Sequence, residues 1–230
     1  DGLLHQRLDA PLIKYNNKFE KASWPEVYKI IKSKFVNTTK EKICGFVGDL
    51  INMETSYIFK ELFERTIDTN NYESRSDNRF INISKRENYI FNSSLNGIED
   101  ADLIFLIGTN PRYEGTILNA RIRKSYLKNN TKIYSLNENG DLTYPYESLD
   151  GYTQTLKNIF EGSHDLSKNV INSKKPMIII GESFLRLNSA EILYSLILEF
   201  LTQNKKILKD WNPVNILSCD ASSVGNFDLG

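Results

Sequence analysis

The sequence predicts an α/β fold built on a mostly parallel sheet. The main evidence is a pattern that occurs three times, in which a short apolar strand ends in a glycine and a helical segment follows. The three strands read ICGFVG, LIFLIG and MIIIG. Continuous apolar runs of this length are typical of strands buried on both faces. Their alternation with helices favours parallel strands joined by right-handed crossovers, which is a Rossmann-like layered arrangement.

The first third of the chain contains an extended segment, two helices and a strand. The segment 1–22 contains a polar turn at Tyr15–Lys18. Ser23 and Glu26 form an S-x-x-E capping box around Pro25, which predicts the start of a helix. The elements predicted after the extended segment are a helix from 23 to about 35, a strand at 42–47 and a helix at 49–66.

The rest of the sequence, from residue 67 onward, indicates a loop region and then strands that alternate regularly with helices. Residues 67–97 are rich in Asn, Ser, Asp and Arg, and we expect loop with short elements there. The predicted elements after it are a helical turn at 98–101, strands at 103–107, 132–136, 177–180 and 214–217, and helices at 115–127, 153–160 and 189–203. Along the chain, this predicts an extended segment 1–22, a first α/β subdomain 23–150 and a continuing α/β segment 151–230. Because the chain begins at Asp1 and stops at Gly230, we expect a piece of a larger polypeptide, truncated at its carboxyl end.

Composition excludes several classes of protein. Basic and acidic residues balance at 29 each, which gives no excess positive charge for nucleic acid or an anionic membrane. No apolar run approaches the roughly 20 residues needed to span a bilayer. The two cysteines, Cys44 and Cys219, are far apart and cannot by themselves hold an iron–sulfur cluster or a Cys-rich zinc site. Cys44 lies in a predicted strand, and we expect it to be a buried core residue.

The turn Gly108–Pro111 follows a predicted strand, at the edge where open α/β sheets bind ligands. It lacks a G-x-G-x-x-G run and a G-x-x-x-x-G-K-[ST] run, so it is not a standard dinucleotide site or P-loop. Arg112 and Glu114 could bind a ligand there, or they could pair with each other or with a neighbouring residue, and we favour pairing. The basic run Arg121–Lys124 could bind an anion, but a solvated helix face is the favoured interpretation.

The other candidates also favour structural roles. His5 and His164 have no second histidine or cysteine at metal-ligand spacing, and Ser74–Asp77 lie in a polar loop. Tyr144 and Tyr146 are expected to anchor a loop on the core. We therefore predict no catalytic, cofactor-binding or metal-binding residue. For Gly108 we predict close packing under the following helix, so that Gly108→Val destabilises the fold by roughly 1–3 kcal/mol.

Several segments carry a resemblance to a known family. DGLLHQRLDAPLIK and KFEKASWPEVYKII resemble the opening of a molybdopterin oxidoreductase domain. ADLIFLIGTNPRYEGTILNARIRKSYL is similar to a stretch of the large iron–sulfur subunits of respiratory complex I. DLTYPYESLDG, KKPMIIIGESFL, WNPVNIL and FDLG fit the same family in the same order. The resemblance therefore covers nearly the whole chain and implies the molybdopterin oxidoreductase-type fold.

The resemblance also implies a function. It implies a non-catalytic structural portion of the large subunit, which supports electron transfer from NADH to quinone. The implied partners are other subunits of the peripheral arm and the amino-terminal part of the same subunit, which would carry the iron–sulfur clusters. The implied location is the matrix side of the mitochondrial inner membrane, or the cytoplasmic side of a bacterial inner membrane. The chain itself would bind no nucleic acid and would not insert into the membrane.

Two departures from active molybdenum enzymes imply that this portion holds no cofactor. Those enzymes ligate the metal through Cys, selenocysteine or Ser, whereas residues 67–80 contain no Cys and neither Ser74 nor Ser76 can be assigned by spacing. Where they commonly carry a D-P-R turn, this chain reads Asn137–Asp141.

Two alternatives remain open at this point. The first is a fragment of an active molybdenum or tungsten oxidoreductase, and the second is a free nucleotide-binding Rossmann domain. We also expect the apolar helix at 189–203 and the tail through Leu229 to be exposed. Such exposed apolar surface would make the isolated chain prone to aggregation.

Overall fold

A computed structural model of the chain describes residues 5, 7–48, 50–75 and 78–230. These residues form two compact units. One comprises Asp1–Val47 and Glu54–Ser74, and the other comprises Gly48–Met53 and Arg75–Gly230. The division predicted from the sequence, at residues 22 and 150, stays a prediction. No helix in the described ranges combines the length and the apolar character needed to cross a bilayer.

The first unit begins with a β-hairpin. Strands β1 (Leu12–Tyr15) and β2 (Lys18–Lys21) are antiparallel, and Tyr15 pairs with Lys18. Asn16 and Asn17 between them have φ angles of 46° and 66°. A two-residue hairpin turn of type I′ requires positive φ at both positions, and Asn tolerates it well. The polar turn predicted at Tyr15–Lys18 is therefore confirmed.

Helix α1 (Trp24–Val36) follows, close to its predicted bounds. Pro25 occupies the first turn, but the Ser23 side chain makes no capping hydrogen bond. The helix is therefore confirmed, whereas the capping bond predicted for Ser23 does not form. Within α1 no residue is fully buried, and Trp24 and Tyr28 lie on its exposed side with ring centroids 5.6 Å apart.

The rest of the first unit is a small parallel pair with a helix. Strand β3 (Gly45–Phe46) pairs with β4 (Tyr72–Glu73) and is shorter than the predicted strand 42–47. Helix α2 (Met53–Glu61) continues as a π-helical segment, Leu62–Ile67. The predicted start of this helix at Asp49 lies outside the described residues.

Cys44 is exposed, so its predicted role as a core residue is wrong. Ile43 and Gly45 are buried on either side of it. Successive residues of an extended strand point to opposite faces, which turns the Cys44 thiol outward. A Cβ on Gly45 would lie only 2.3 Å from the Phe63 ring, so the inner face of this strand is already filled.

The second unit contains a five-stranded sheet in which every neighbouring pair is parallel. Its order is β7-β6-β5-β8-β9, which confirms the predicted α/β class with a parallel sheet. All five residues of the central strand are buried, as its continuous apolar sequence predicts. The strands are β5 (Leu103–Ile107), β6 (Lys132–Ser135), β7 (Glu147–Ser148), β8 (Pro176–Ile180) and β9 (Val214–Ile216).

Helices cover both faces of this sheet. The predicted helices at 115–127, 153–160 and 189–203 are confirmed within a few residues, whereas α7 was not predicted. Between residues 67 and 97 the described residues, 67–75 and 78–97, form only short elements, as expected. The helices are α3 (Ser94–Gly97), α4 (Pro111–Glu114), α5 (Thr116–Asn129), α6 (Thr153–Phe160), α7 (Asp165–Asn172), α8 (Glu182–Leu185), α9 (Ala190–Gln203) and α10 (Ser223–Leu229).

The core of the second unit consists of two apolar clusters, one on each face of the sheet. Phe105 of β5 points to one face, where it packs with α6, α7 and α9. Ile104 points to the opposite face, where α5 contributes Leu118 and Ile122. Alternation of neighbouring side chains along β5 produces this division.

Helix α9 belongs to this core, so its predicted exposure is wrong. Its buried residues are Ala190, Leu193, Tyr194, Ile197, Phe200 and Leu201. Ile192 on the outer side is 74% exposed. In the tail, Leu229 is half-buried, and Phe227 packs edge-on against Tyr89 at 5.5 Å between ring centroids. The exposed apolar surface expected at these two places is therefore small.

Asp102 fastens the start of β8 to the start of β5. It accepts hydrogen bonds from the Ser173 hydroxyl and from the backbone N–H groups of Lys174 and Lys175, the last two at 2.7 and 2.9 Å. Partial burial raises the pKa of Asp102, but these hydrogen bonds to the carboxylate outweigh it and hold the pKa below its usual value.

Asp102→Asn should therefore destabilise the chain in a pH-dependent way. A lowered folded-state pKa contributes stability above the unfolded value of about 4, and this contribution is lost as the pH falls through the folded value. We expect the difference in unfolding free energy between wild type and variant to be full at pH 7 and to shrink progressively below about pH 4. Urea denaturation across this range measures it, with the exposed Asp210→Asn as control. A difference independent of pH would show that the carboxylate charge is not involved.

Candidate functional site

The strand order reverses between β5 and β8. From β5 the chain builds β6 and β7 on one side, and then returns to build β8 and β9 on the other. In open α/β sheets, ligands bind outside the carboxyl ends of the strands at such a point. The turn Gly108–Pro111, identified from the sequence, lies here, and Gly181 follows β8 at the same edge. This carboxyl edge is the candidate functional site.

Two glycines bring the turns at this edge into direct contact. Gly108 has a φ of +62°, and a Cβ on it would lie 2.4 Å from the backbone nitrogen of Phe184. A Cβ on Gly181 would lie 2.5 Å from the Gly108 carbonyl oxygen. The predicted close packing of Gly108 is therefore confirmed, but the predicted neighbour is wrong, because the turn packs against α8 after the adjacent strand β8 and not against the next helix in sequence. The two turns leave no space between them for another group.

Polar side chains link the turn after β5 to its surroundings. Glu114 accepts hydrogen bonds from the Thr109 hydroxyl at 2.7 Å and from the Asn110 backbone N–H at 3.0 Å. The Asn110 side-chain amide donates to the Asn139 carbonyl at 3.0 Å, and the Asn139 amide donates to the Thr109 carbonyl at 3.1 Å. The donors and acceptors of the turn are thus engaged with one another.

Arg112 and Glu114 both pair with other residues of the chain, which is the arrangement favoured from the sequence. Arg112 forms an ion pair with Asp141, with 2.7 Å between Nη1 and Oδ2. Glu114 is held by the turn, as described above. In the basic run, Arg121 and Lys124 both pair with Glu99, and the Lys124 bond is 2.8 Å long.

A buried ion pair lies at the end of β8. Arg79 Nη1 donates to Glu182 Oε1 at 2.7 Å, and the two side chains are only 2% and 9% exposed. Glu182 also accepts from the Cys219 backbone N–H at 3.1 Å and from Arg186 Nη2 at 3.0 Å. Arg79 Nη2 donates to the Ser223 hydroxyl at 3.2 Å. Sequence reasoning missed both Arg79 and Glu182, although the position of Glu182 directly after a strand-ending glycine is a signal that could have identified it.

Cys219 lies beside this ion pair, with its backbone N–H bonded to Glu182, and the residue is exposed. Desolvation of the thiol, followed by the nearby carboxylates of Glu182, Glu114 and Asp220, raises the pKa of Cys219 to about 11. A thiolate is disfavoured both by a poorly hydrated position and by neighbouring negative charge. A raised pKa keeps the Cys219 thiol protonated at neutral pH.

Alkylation tests this property of Cys219. In a Cys44→Ser chain at pH 8, we expect iodoacetamide to react with Cys219 about tenfold more slowly than with a small thiol of pKa near 8.5. The lower thiolate fraction outweighs the higher intrinsic nucleophilicity of a more basic thiolate. The rate should keep rising up to about pH 11. A rate that levels off near pH 8 would contradict the raised pKa, and Cys219→Ser in the same background gives the blank.

The remaining candidates do not converge on this edge. His164 accepts a hydrogen bond from the Leu166 backbone N–H at 3.1 Å and thereby caps α7, and His5 is exposed. The Ser74 backbone N–H donates to Glu73 at 3.0 Å, while Ser76 and Asp77 lie outside the described residues. Among the residues that are described, no group of three or more His, Cys, Asp or Glu side chains is arranged to hold a metal ion.

The tyrosine prediction is confirmed. Tyr144 is buried, and its hydroxyl donates to the Asn119 side-chain oxygen at 2.7 Å, which anchors the loop after β6 on α5. The Tyr146 hydroxyl donates to Glu138 at 2.5 Å and lies 3.0 Å from the Gly140 carbonyl oxygen. The two rings therefore hold the loop after β6 in place.

The chain is similar to large subunits of one respiratory enzyme. It is 37% identical over 243 residues to the NADH-ubiquinone oxidoreductase 75 kDa subunit of Reclinomonas americana. It is 35% identical over 237 residues to the mitochondrial NADH-ubiquinone oxidoreductase 78 kDa subunit of Candida albicans, and 34% identical over 230 residues to a subunit of the NADH-quinone oxidoreductase of Rickettsia bellii. Each comparison covers 100% of this chain and 35%, 32% and 34% of the relative, so the chain spans about a third of their length. Residues 7–230 match the molybdopterin oxidoreductase family, and the chain therefore belongs to that family.

Proposed function

We propose that this chain is a structural portion of the large peripheral-arm subunit of respiratory complex I and is not itself catalytic. The observation that carries the proposal is the similarity of the whole chain to subunits of NADH-ubiquinone and NADH-quinone oxidoreductases. In this role it supports electron transfer from NADH to quinone without holding a cofactor. The iron–sulfur clusters belong to the part of the subunit that lies outside this third.

The proposed partners follow from the same assignment. They are the cluster-bearing part of the same subunit and the neighbouring subunits of the peripheral arm. The proposed location is the matrix side of the mitochondrial inner membrane, with the cytoplasmic side of a bacterial inner membrane as the alternative. The occurrence of relatives in both mitochondria and bacteria supports this pair of locations.

The family name implies a molybdopterin, an anionic group, and the residues at the carboxyl edge do not fit one. The backbone contact between the turns at Gly108 and Gly181 leaves no space there. The backbone N–H groups of Asn110 and Cys219, the kind of donors that bind phosphate, are engaged by Glu114 and Glu182. These carboxylates would also repel an anion. This supports a scaffold role for the edge.

The second candidate function is a portion of an active molybdopterin-dependent oxidoreductase, which the family match by itself favours. Purification from the source organism with an antibody against this chain separates the two candidates. We expect the chain to co-purify with NADH:quinone oxidoreductase activity and to migrate with that activity on a native gel. Elemental analysis should find no stoichiometric molybdenum or tungsten, and oxidation of the sample should release no fluorescent pterin.

The opposite result would overturn the proposal. Molybdenum or tungsten at one atom per chain, together with fluorescent pterin, would establish the second candidate. A chain that migrates apart from all NADH:quinone oxidoreductase activity would contradict the complex I assignment whatever its metal content. A mock purification with non-immune antibody controls for co-purification without binding.

A further inference from the structure

We propose that the carboxyl edge of the sheet contains an anion-binding position, centred on Arg79, which the chain fills with its own Glu182 carboxylate. Glu182 would thus act as an internal ligand at the edge where related folds hold an external one. The inference rests on one part of the proposed function, namely that this edge carries no cofactor. Beyond the proposed function, it names the group that occupies the position, Glu182, and the class of small anion that could replace this carboxylate.

The placement of Arg79 is the first step of the argument. Its side chain is 2% exposed, although it comes from a loop and not from a regular element. The backbone N–H of Phe80 donates to the Leu185 carbonyl at 2.7 Å, which holds this loop against α8. A guanidinium group keeps its charge under all ordinary conditions and is costly to bury without an anion. The fold therefore places a permanent positive charge at the end of β8 and requires a negative partner for it.

The donors around Glu182 are the second step. The carboxylate receives hydrogen bonds from Arg79, from Arg186 and from the backbone N–H of Cys219. These donors come from three separate places in the chain and converge on one pair of oxygens. Guanidinium groups and a backbone N–H after a strand form the donor set with which proteins bind carboxylates and phosphates. Glu114 at the same edge differs, because the bonds described for it come from a hydroxyl and a backbone amide.

Asp220 is a second carboxylate near this position, and it bears on the design of the test. Its Oδ2 atom lies 3.9 Å from Arg79 Nη1, beyond hydrogen-bonding distance. After removal of Glu182, Asp220 could move closer and partly replace it. The test therefore includes Asp220→Asn in the same background.

The test is chemical rescue of the full chain carrying Glu182→Ala. This change leaves Arg79 buried and opens a space of the size of a small carboxylate. We expect a lower melting temperature than that of the wild type. Formate, compared with chloride at equal ionic strength, should raise it saturably, by about 3–6 °C at ten times the formate dissociation constant. The rise should be larger in Glu182→Ala/Asp220→Asn and absent in Glu182→Ala/Arg79→Leu.

Glu99→Ala is the matched control. Glu99 also pairs with two cationic side chains, Arg121 and Lys124, but these lie at the surface. Formate should therefore act on Glu99→Ala no more than on the wild type. An equal formate effect on Glu99→Ala and Glu182→Ala would overturn the proposal, as would a formate effect that persists after removal of Arg79.

The design also covers a variant that does not fold in buffer. A ligand that binds only the folded state drives folding by mass action, so formate should restore the helical circular dichroism signal of an unfolded Glu182→Ala chain. If formate does not restore this signal, the double variant Glu182→Ala/Arg79→Leu is the deciding measurement. A folded double variant, in which both charges have been removed, supports the proposal, and an unfolded one contradicts it. Rescue by formate is independent of the metal and pterin measurements, so the failure of one proposal is distinguishable from the failure of the other.

Discussion

Gly108→Val is expected to lower the free energy of unfolding by about 2–6 kcal/mol, more than the sequence alone indicates. Two effects add. A β-branched residue at a φ of +62° is strained by about 1–3 kcal/mol, and its Cβ would lie 2.4 Å from the Phe184 backbone nitrogen. This contact with Phe184 cannot be relieved by rotation of a side chain, because the neighbouring atom belongs to the backbone. Urea denaturation of the two chains measures the difference.

Gly140→Val separates strain from crowding. Gly140 has nearly the same φ, +68°, but nothing lies within 4 Å of the place where its Cβ would be. We therefore expect this control to lose only the strain contribution, about 1–3 kcal/mol. Equal losses at the two positions would mean that contact between the turns is not what requires Gly108. An unchanged melting temperature for Gly108→Val would contradict the close packing itself.

Phe200→Ala is expected to lower the free energy of unfolding by about 3–5 kcal/mol. Phe200 on α9 is buried and packs edge-on against Phe160 at 5.5 Å between ring centroids, and Phe160 in turn stacks on Phe105 of β5 at 6.4 Å. Truncation would leave a cavity between α9 and α6, beside the ring that stacks on the central strand. Thermal unfolding by calorimetry gives the measurement.

Ile192→Ala is the matched control on the same helix. Ile192 is 74% exposed, so its truncation should change the stability by no more than about 0.5 kcal/mol. A large loss of stability at Ile192 together with a small one at Phe200 would mean that the face of α9 carrying Ile192 is the covered one. The face carrying Phe200 would then be exposed, as the sequence predicted for this helix.

The central strands were predictable because their sequences exclude other interpretations. Leu103–Ile107 is an unbroken apolar run that ends in a glycine, and the run at Met177–Ile180 is bounded by Pro176 and Gly181. Runs so short and so apolar are typical of strands buried on both faces, and the flanking glycine and proline residues mark where each strand begins or ends. The sheet class and the location of the candidate edge followed from these strands.

Helix α7 was missed because its signals are unusual. It has eight residues, and its cap is the imidazole of His164, whereas Ser, Thr, Asp and Asn are the residues that usually mark a helix start. Only Leu166 and Val170 give it an apolar spacing of four. For α9 the error was of another kind. The apolar residues correctly indicated a helix, but they could not tell which neighbour covers it.

The ion pair at the candidate edge could not have been predicted from local pattern. Arg79 and Glu182 are 103 residues apart, and Arg79 lies in a loop whose composition indicates only solvent exposure. Glu114 was interpretable because its partners, Thr109 and Asn110, belong to the same turn, whereas the partner of Arg112 lies 29 residues away along the chain. Partners brought together only by the sheet topology leave no trace in spacing along the chain.

The strand order has a consequence for the way in which this sheet forms on the ribosome. Strand β5 emerges first, β6 then joins one of its edges and β7 joins β6. Later β8 joins the remaining edge of β5, and β9 joins β8. Each strand therefore adds to a free edge of what has already been synthesised, and none has to insert between two paired neighbours. A nascent chain can therefore extend this sheet outward in the order of translation. One edge of β5 stays unpaired until β8 has been synthesised, and during that time β5, β6 and β7 can already form a three-stranded sheet.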